Sequence, residues 1–348
     1  MKTIQKLLIF SLVITHLSCI SKKNTASLND DFTIAFGSCN KQYKENILWK
    51  EILKNNPNLW IWGGDNVYAD TDNMSVLKEA YHTLSQQKGY EKIVQKIPIM
   101  ATWDDHDYGF NDSGKEFYMK AGAQSAFLDF FKVPKNSSRR KQKGIYNSKV
   151  FETQKGSVKV IVLDTRYFRD SLTKSSSTKK RFTPNTNKES TILGAAQWNW
   201  LTEELNNSKA NFNIIVSSIQ ILAAEHGFET WGNFPHEVQK LTEIIKNSNA
   251  KGVLLLSGDR HISEFSRTNI KGINYPIIDF TSSGLTHSYN GFTSEPNKYR
   301  VQNVISEISF GLLKFNFEKN NITMQMRGKN NKVLQELVQQ YPKNEYLE

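Results

Sequence analysis

The sequence predicts an α/β fold, and three observations lead to this prediction. Apolar runs of strand length alternate with longer segments of helical periodicity along most of the chain. The strand runs are almost continuously apolar, as expected for strands buried on both faces. Several of them end directly on carboxylates or imidazoles, and the carboxyl ends of strands are where α/β sheets carry ligands. We therefore expect a single domain built on mostly buried sheet.

The predicted elements follow from these patterns in chain order. Strands are predicted at residues 32–36, 59–62, 97–102, 158–163, 212–219, 253–256 and 275–280. Helices are predicted between them, at residues 46–54, 75–95, 115–131, 195–206 and 236–246. Pro235 supports the start of the last helix, since proline suits the first turn. Residues 310–317 and 322–326 predict an antiparallel hairpin at a sheet edge.

The first residues have the pattern of an export segment. Lys2 and Lys6 form a positive start, residues 7–14 are apolar but too short to span a bilayer, and Leu17-Ser18-Cys19 offers a processing site. This resembles a bacterial lipoprotein signal, in which the cysteine is lipidated; the alternative is that Cys19 is a bystander at an ordinary cleavage site. We predict a signal peptide at 1–19, a tether at 20–30 and one catalytic domain at 31–345. The protein is then exported to the periplasm or cell surface and anchored to the membrane through Cys19.

The charge of the chain is basic but does not indicate a nucleic-acid-binding module. Lys and Arg number 45 against 34 Asp and Glu, a formal net charge of +11. Much of the excess lies in two Ser/Thr/Asn-rich stretches, 135–143 and 174–188, which are typical of solvated loops. Aromatic residues do not alternate with these basic runs, as a platform for nucleic-acid bases requires.

Potential metal ligands follow three of the apolar runs and a fourth run near the start. They are Cys39, Asp65, Tyr68, Asp105, Asp259 and His261. Oxygen ligands favour Ca²⁺, Mg²⁺ or Mn²⁺, whereas nitrogen and sulfur favour transition metals. A phenolate or thiolate suits Fe³⁺, so the set indicates more than one kind of metal. Taken singly, the aspartates could cap helices, the tyrosine could pack in the core and the cysteine could be an inert buried thiol.

Such a set is suited to phosphoester hydrolysis. Neighbouring cations can clamp a phosphoryl group and make a water nucleophilic. Arg166 also follows a strand and is predicted to grip phosphate oxygens with its planar fork. His106, flanked by Asp105 and Asp107, is predicted to protonate the leaving alkoxide or to orient a water. Asp104 is a candidate partner for the His106 ring.

The ordered motifs resemble the alkaline phosphatase D (PhoD-like) family of metallophosphatases. They are Gly37-Ser38-Cys39, Gly64-Asp65-Asn66-Val67-Tyr68-Ala69-Asp70, Trp103-Asp104-Asp105-His106-Asp107 with Asn111, Asp164-Thr165-Arg166, Leu193-Gly194 with Gln197 and Trp200-Leu201, and Gly258-Asp259-Arg260-His261.

The resemblance implies a metallophosphoesterase-like core, two β-sheets sandwiched by helices, that hydrolyses small-molecule phosphomonoesters or phosphodiesters. It implies Fe³⁺ and Ca²⁺ as cofactors, with Mn²⁺ or Zn²⁺ as alternatives. By position, Cys39, Asp65 and Tyr68 hold the iron, with Asp65 bridging. Asn111, Asp259 and His261 complete the metal shell, Asp105 is a further ligand and catalytic residue, and Arg166 contacts phosphate.

The chain departs from the family pattern at two places. Asp107 stands where the family often has glutamate, and Glu229-Thr230-Trp231 only loosely resembles its tryptophan-containing loop. Many members carry an N-terminal β-sandwich, which we expect to be absent because the first strand follows Cys19 closely. Two other functions remain open: a cysteine hydrolase with Cys39 as nucleophile and His261 as base, and a non-catalytic, metal-binding surface lipoprotein.

Overall fold

The computed structural model describes residues 32–176, 179–292 and 294–342, which belong to one compact unit. The predicted signal peptide with Cys19, the tether at 20–30, residue 31 and the last predicted domain residues, 343–345, lie outside the described residues. Among the helices of the described part, none combines the length and the apolar character needed to cross a membrane.

The described chain forms fifteen strands and seven α-helices, with three short 3₁₀ turns. In order they are β1 (Thr33–Gly37), α1 (Trp49–Leu53), β2 (Leu59–Gly63), α2 (Met74–Ser85), α3 (Lys88–Lys96), β3 (Ile99–Thr102), α4 (Asp105–Tyr108), α5 (Lys120–Phe130), β4 (Asn147–Glu152), β5 (Ser157–Val162), β6 (Thr173–Lys174), β7 (Phe182–Thr183), α6 (Gly194–Asn206), β8 (Phe212–Val216), α7 (Pro235–Asn247), β9 (Val253–Ser257), β10 (Ser263–Thr268), β11 (Ile277–Ser282), β12 (Arg300–Ile305), β13 (Phe310–Asn316), β14 (Asn321–Arg327) and β15 (Val333–Gln340).

Two mixed sheets form the body of the domain. The first has six strands in the order β15-β14-β13-β1-β2-β3, and the second has seven in the order β12-β10-β11-β9-β8-β5-β4. In the first sheet the parallel strands β1-β2-β3 end at the edge strand β3, and antiparallel strands continue the sheet beyond β1. In the second sheet the parallel strands β11-β9-β8-β5 are central, and antiparallel strands flank them on both sides. The predicted α/β fold, two sheets flanked by helices in a single domain, is confirmed.

The hydrophobic core has three layers because the central strands are buried on both faces. In β2, Leu59 and Ile61 face the core between the sheets. Trp60 and Trp62 face the other way and pack with Trp49 of α1. A third cluster lies between the second sheet and helices α6 and α7. This double burial is why the strand segments are continuously apolar rather than alternating.

The structure differs from the predicted elements in three respects. The predicted helix at 75–95 is two helices, because Gln87 is extended and its side chain amide donates to the carbonyl oxygens of Gln42 and Lys44. The C-terminal hairpin does not lie at an edge: β13 pairs with β1, and β15 covers β14. Strands β4, β6, β7, β10, β12 and β15 and the short helix α4 were not predicted, because polar residues in or beside them break the apolar pattern. In β10, for example, buried Glu264 is paired with Arg300.

Candidate metal centre

Strands from both sheets end at one place, and most of the predicted ligands follow these ends. Cys39 comes after β1, Asp65 after β2 and Asp105 after β3 in the first sheet, while Asp259 and His261 come after β9 in the second. The two sheets are joined here, because Ser38 forms a parallel bridge with Ser283, directly after β11. The carboxyl ends of parallel strands thus gather side chains that are far apart in sequence.

The backbone at four of these positions is in a conformation that side chains disfavour. Cys39, Asp65, Asp259 and His261 have φ of 61°, 50°, 70° and 55°. Residues other than glycine rarely have positive φ, and such strain clusters at functional sites. Gly64, with φ of 99°, allows the loop after β2 to approach Asp104 closely, since a Cβ at residue 64 would lie 2.7 Å from the Cβ of Asp104. The turns therefore favour the placement of the side chains over local stability.

One side of the centre combines sulfur, oxygen and nitrogen donors. We call Cys39, Asp65, Tyr68 and His261 the mixed-donor side. Ligand atoms of Cys39, Asp65 and His261 all lie within 4.8 Å of one another. Cys39 Sγ is 3.4 Å from Asp65 Oδ2. The Tyr68 hydroxyl donates to the same Oδ2 at 2.9 Å and lies 3.0 Å from His261 Nε2. Four donors thus surround one small space.

The other side consists of carboxylates alone. We call Asp104, Asp105, Asp112, Asp259 and Glu229 the oxygen side. Carboxylate oxygens of Asp104, Asp105 and Asp259 lie within 4.8 Å of one another, and so do those of Asp105, Asp112 and Glu229. Asp105 belongs to both groups and also to a third, with Asp65 and His106, so the two sides are adjacent. Such an all-oxygen set is typical of hard divalent cations.

Burial keeps the thiol, the phenol and the imidazole of the mixed-donor side uncharged. It raises the pKa of the Cys39 thiol and of the Tyr68 phenol well above their usual values, and the Asp65 charge adds to both. Burial also raises the pKa of Asp65 to about 6. The pKa of His261 falls to about 4, because of burial and the neighbouring charge of His106, which leaves a neutral imidazole able to bind a metal.

The oxygen side contains more carboxylates than its cations can balance. Burial, partly opposed by nearby arginines, raises the pKa values of Asp104 and Asp259 well above normal. Burial also acts to raise the pKa of Asp105, but the charges of Arg166 and His106 outweigh it and hold that pKa below its usual value. Asp104 Oδ2 is buried with no hydrogen-bond partner among the described residues. Crowded buried carboxylates with an unpaired oxygen fit a site for cations.

Arg166 lies beneath the centre and is fully buried. Its guanidinium contacts Asp104 Oδ1 at 2.5 Å and Glu229 Oε2 at 2.7 Å. The second contact partner of Glu229 is Arg169, also fully buried, at 2.8 Å. The predicted phosphate contact of Arg166 stays a prediction, and its observed partners are carboxylates rather than solvent.

His106 borders the mixed-donor side and keeps some exposure. Its ring stacks on Tyr68 with centroids 4.3 Å apart, and its Nδ1 lies 2.6 Å from Asp70 Oδ1. The proposed pairing with Asp104 is wrong, because Asp104 is held by Arg166 and by the hydroxyl of Ser218 at 2.5 Å. Burial acts to lower the pKa of His106, but the charge of Asp65 and the bond with Asp70 outweigh it and raise that pKa to about 10.

Asn111 and Asp107 are placed differently from the other motif residues. Asn111 is exposed, and its amide donates to Asp112 Oδ2 at 2.7 Å; the structure brings it next to the oxygen side, and its role as a ligand stays a prediction. Asp107 accepts from the backbone N–H of Asp104 at 2.7 Å and from the Asn66 amide at 2.6 Å. The shorter aspartate thus caps helix α4 and fixes the preceding loop.

Several residues at the centre were missed in the sequence. Asp112 and Glu229 contribute carboxylates, and Asp70 partners His106. His287 lies against His261 with ring centroids 4.3 Å apart. Each of them is on a loop rather than at the end of an apolar strand. Two of them had a signal that could have indicated them: Asp70 ends the motif that begins at Gly64, and Glu229 is next to Thr230-Trp231 in the loosely matching loop.

A cavity of about 500 Å³ adjoins the oxygen side and is lined by Asn111, Asp112, Leu172, Arg181 and Phe182, among others. A larger cavity of about 860 Å³ lies between α2, α3 and α5, and none of its described lining residues is a predicted site residue. The chemistry of the lining, not the volume, therefore identifies the region of interest.

Comparison with known proteins assigns the family. The model of the PhoD-like phosphatase family matches residues 34–332, which include every predicted ligand. The chain belongs to the PhoD-like phosphatase family. The match begins in β1 and ends just before β15, so it spans both sheets. The resemblance drawn from the motifs is thereby confirmed.

A curated relative agrees with this family. The chain is 26% identical over 222 residues to alkaline phosphatase D of Bacillus subtilis (strain 168). The alignment spans 56% of this chain but only 37% of that protein's own length.

Solved structures of the same fold have low sequence identity to this chain. A structure of PhoD matches with a TM-score of 0.71 and 17% identity, over 89% of this chain and 68% of that one. A dimetal phosphatase from Danio rerio matches with a TM-score of 0.54 and 12% identity, over 90% of this chain and all of that one. GAP50, described as the anchor in the inner membrane complex of Plasmodium, matches with a TM-score of 0.59 and 14% identity, over 91% of this chain and 90% of that one. These likenesses show the fold, and function must be argued from the site.

Proposed function

We propose that this protein is a metal-dependent phosphoester hydrolase that releases phosphate from small organic phosphoesters. One observation carries the proposal: Cys39, Asp65, Asp105, Asp259 and His261 converge in overlapping groups whose ligand atoms lie within 4.8 Å of one another. Membership of the PhoD-like phosphatase family and the fold shared with a dimetal phosphatase support it.

The two sides of the centre suit different cations. The thiol, phenol and imidazole of the mixed-donor side favour Fe³⁺, and the carboxylates of the oxygen side favour Ca²⁺. Mn²⁺ or Zn²⁺ are the alternatives. Cations of this kind supply Lewis acidity, which polarises a phosphoryl oxygen and lowers the pKa of water. Asp65 and Asp105, which each belong to more than one group, are the residues that join the two sides.

The protein's own groups supply orientation and a proton. His106 is partly exposed, with 19% of its side chain accessible, and Asp70 fixes its ring through Nδ1. Its Nε2 is then the atom that delivers a proton to the leaving alkoxide. Arg166 holds Asp104 and Glu229 from below, so the carboxylates keep their positions when substrate arrives. Positioning of this kind is a major part of phosphoryl-transfer catalysis.

The test combines turnover with metal removal. The purified protein is assayed with an aryl phosphate monoester and diester before chelation, after chelation and after metal return. We expect activity to disappear with the metal and to return with it, and Asp65→Ala and His261→Ala to lack both activity and metal. Asp72→Ala, an exposed aspartate bonded to Tyr118, is the matched control and keeps both.

The same assay separates the alternatives. Activity that survives chelation but is lost to a thiol alkylator would indicate a cysteine hydrolase. Burial of Cys39 argues against a cysteine hydrolase, since a nucleophilic thiol needs a lowered pKa and burial raises the pKa of Cys39. Stoichiometric metal without turnover of either ester would indicate a metal-binding protein and would contradict the proposed hydrolase.

We also propose, from the sequence of residues 1–19 alone, that the protein is exported and lipid-anchored through Cys19. In the native host, a fatty-acid label should attach to the wild-type protein and not to Cys19→Ser. Equal labelling of both, or labelling of neither, would reject the anchor.

A further inference from the structure

Three arginines of the described residues form ion pairs with carboxylates of the oxygen side, and one of them differs from the others. Arg166 and Arg169 are fully buried and paired with carboxylates. The side chain of Arg181, by contrast, is 53% exposed. In the sequence it lies in the basic stretch 174–188, which was predicted to be a solvated loop. Arg181 is thus a cation beside the centre that remains accessible from solvent.

Asp112 connects Arg181 to the candidate ligands. Arg181 Nη2 forms an ion pair with Asp112 Oδ2. The backbone N–H of Asp112 in turn donates to Asp105 Oδ2 at 2.7 Å. One residue therefore holds the candidate ligand Asp105 through its backbone and the exposed arginine through its side chain, which places Arg181 at the rim of the centre.

Backbone bonds fix this position independently of the ion pair. The N–H groups of Arg181 and Phe182 both donate to the carbonyl oxygen of Gly227 at 2.9 Å. Gly227 belongs to the loop that carries Glu229 into the oxygen side. The guanidinium also lies over the Phe182 ring, 5.2 Å from its centroid. A long side chain with a fixed backbone and two contacts of its own loses less entropy on binding than a free one.

Arg181 faces a space that a ligand can enter. It lines the cavity of about 500 Å³ together with Asn111, Asp112, Leu172 and Phe182. A guanidinium has five N–H donors in a planar fork, more than one carboxylate oxygen can accept. The remaining donors match the geometry of a phosphoryl group, which two parallel N–H bonds can hold.

We propose that Arg181, rather than Arg166, is the arginine that positions the phosphoryl group of the substrate. The inference rests on the proposed phosphoester hydrolysis and deepens it by naming the residue that binds the anion. Arg166 has no accessible surface, so a substrate oxygen cannot reach it without breaking two buried ion pairs. Arg181 offers the same chemical group at the cavity that adjoins the oxygen side.

The experiment measures binding as well as turnover. Inorganic phosphate is titrated into the metal-loaded protein by calorimetry, and KM and kcat are measured with an aryl phosphate. Loss of a charge-assisted hydrogen bond predicts that Arg181→Gln weakens phosphate binding and raises KM by about 10- to 100-fold. Since the contact serves binding in both ground and transition states, kcat should change by less than about threefold. Arg181→Lys keeps the charge but not the planar fork. Its phosphate affinity and KM should therefore lie between those of the wild-type protein and those of Arg181→Gln.

Two controls keep the result specific. Arg267→Gln removes the same charge from an exposed position on β10 and should leave phosphate binding unchanged. Lys41→Gln removes the cation over the Tyr68 ring, 5.3 Å from its centroid, on the mixed-donor side. If Lys41→Gln weakens phosphate binding while Arg181→Gln does not, Lys41 is the anion contact and the inference is overturned. Thermal unfolding confirms that each variant is folded.

The remaining outcomes distinguish this inference from the proposed function. Normal turnover with unchanged phosphate affinity and KM in Arg181→Gln overturns the inference and leaves the hydrolase intact. Phosphate binding that depends on Arg181 in a protein without turnover supports the anion site and rejects the hydrolase. Wild-type protein that binds no phosphate overturns the inference outright.

Discussion

The two sides of the centre are held together by different interactions. On the mixed-donor side, Tyr68 joins Asp65 and His261 through hydrogen bonds of its hydroxyl. On the oxygen side, carboxylates are paired with two fully buried arginines, Arg166 and Arg169. The first side therefore relies on hydrogen bonds of an uncharged phenol, and the second contains its own positive charges.

This contrast separates candidate ligands that are tied into buried ion pairs from candidate ligands that are held by hydrogen bonds. A buried ion pair is costly to break, because one partner is left as an uncompensated buried charge. On the mixed-donor side, burial instead raises the pKa values of the thiol and the phenol, and a bound cation would release their protons. We therefore expect changes on the oxygen side to reduce both stability and activity, and changes on the mixed-donor side to reduce metal content and activity at similar stability.

The largest effect on activity is expected where the two sides join. Asp65→Ala removes a carboxylate that is grouped with Cys39 and His261 and also with Asp105. Loss of several kcal/mol of transition-state stabilisation predicts a fall in kcat/KM of about a thousandfold or more. Bound metal of both kinds, measured by elemental analysis, should fall as well. Loss of only one kind would mean that Asp65 does not bridge.

The largest effect on stability is expected on the oxygen side. Arg166→Met leaves buried Asp104 without its arginine and Glu229 with Arg169 alone, and should lower the free energy of unfolding by about 3–5 kcal/mol. His261→Ala, on the mixed-donor side, should lower the free energy of unfolding by less. Denaturant unfolding of metal-free protein measures both, with the exposed Arg267→Met as control. Equal losses of unfolding free energy in Arg166→Met and His261→Ala would contradict the proposed difference between the two sides.

Two substitutions should weaken the affinity for each of the two metals separately. His261→Ala removes the nitrogen donor of the mixed-donor side, and Asp259→Asn removes a charge from the oxygen side. We expect the first to weaken binding of the transition metal and the second that of the hard divalent cation, each by about 10- to 100-fold or more. Competition with chelators gives the affinities. Parallel losses in both variants would indicate one shared site.

Tyr68→Phe should change colour more than activity. A phenolate or thiolate bound to Fe³⁺ gives a visible charge-transfer band, and Tyr68 and Cys39 are the candidate donors. Since the Phe variant keeps the ring against His106, we expect the band to weaken or shift while the fold is unchanged. The exposed Tyr289→Phe is the control. An active, colourless wild-type protein would instead indicate an all-divalent centre.

The smallest effect is expected at Asp70, which is 45% exposed and pairs with His106. Asp70→Asn should change stability by less than about 1 kcal/mol, as for other exposed pairs. It removes a group that raises the pKa of His106. If protonated His106 donates the proton, activity should then be lost at a lower pH on the alkaline side of the profile. An unshifted alkaline limb would reject His106 as that donor.

The sequence located the candidate ligands that converge here better than the residues that support them. Asp65, Asp105 and Asp259 follow buried apolar strands, and a short strand followed by a charged residue is visible without a structure. Asp112 and Glu229 lie on loops, and their approach to the centre depends on how the two sheets pack. The strand pattern carries no information about that packing.

Arg166 is a further case in which the sequence indicates the position of a residue but not its partners. Its position after β5 correctly placed it at the centre, but whether its guanidinium faces solvent or carboxylates is decided by Glu229, 63 residues further along the chain. The strands β10 and β12 were missed for a similar reason. Their polar residues are paired across the sheet, as with Glu264 and Arg300, and such pairing appears only in the folded chain.

The most direct test of the central claim is to locate metal in crystals of the purified protein by anomalous X-ray scattering above the iron absorption edge and at longer wavelength for calcium. We expect an iron peak within bonding distance of Cys39, Asp65, Tyr68 and His261, and a second, calcium-type peak among the carboxylates of Asp105 and Asp259. Metal-replete crystals with no peak in contact with Asp65 would contradict the account.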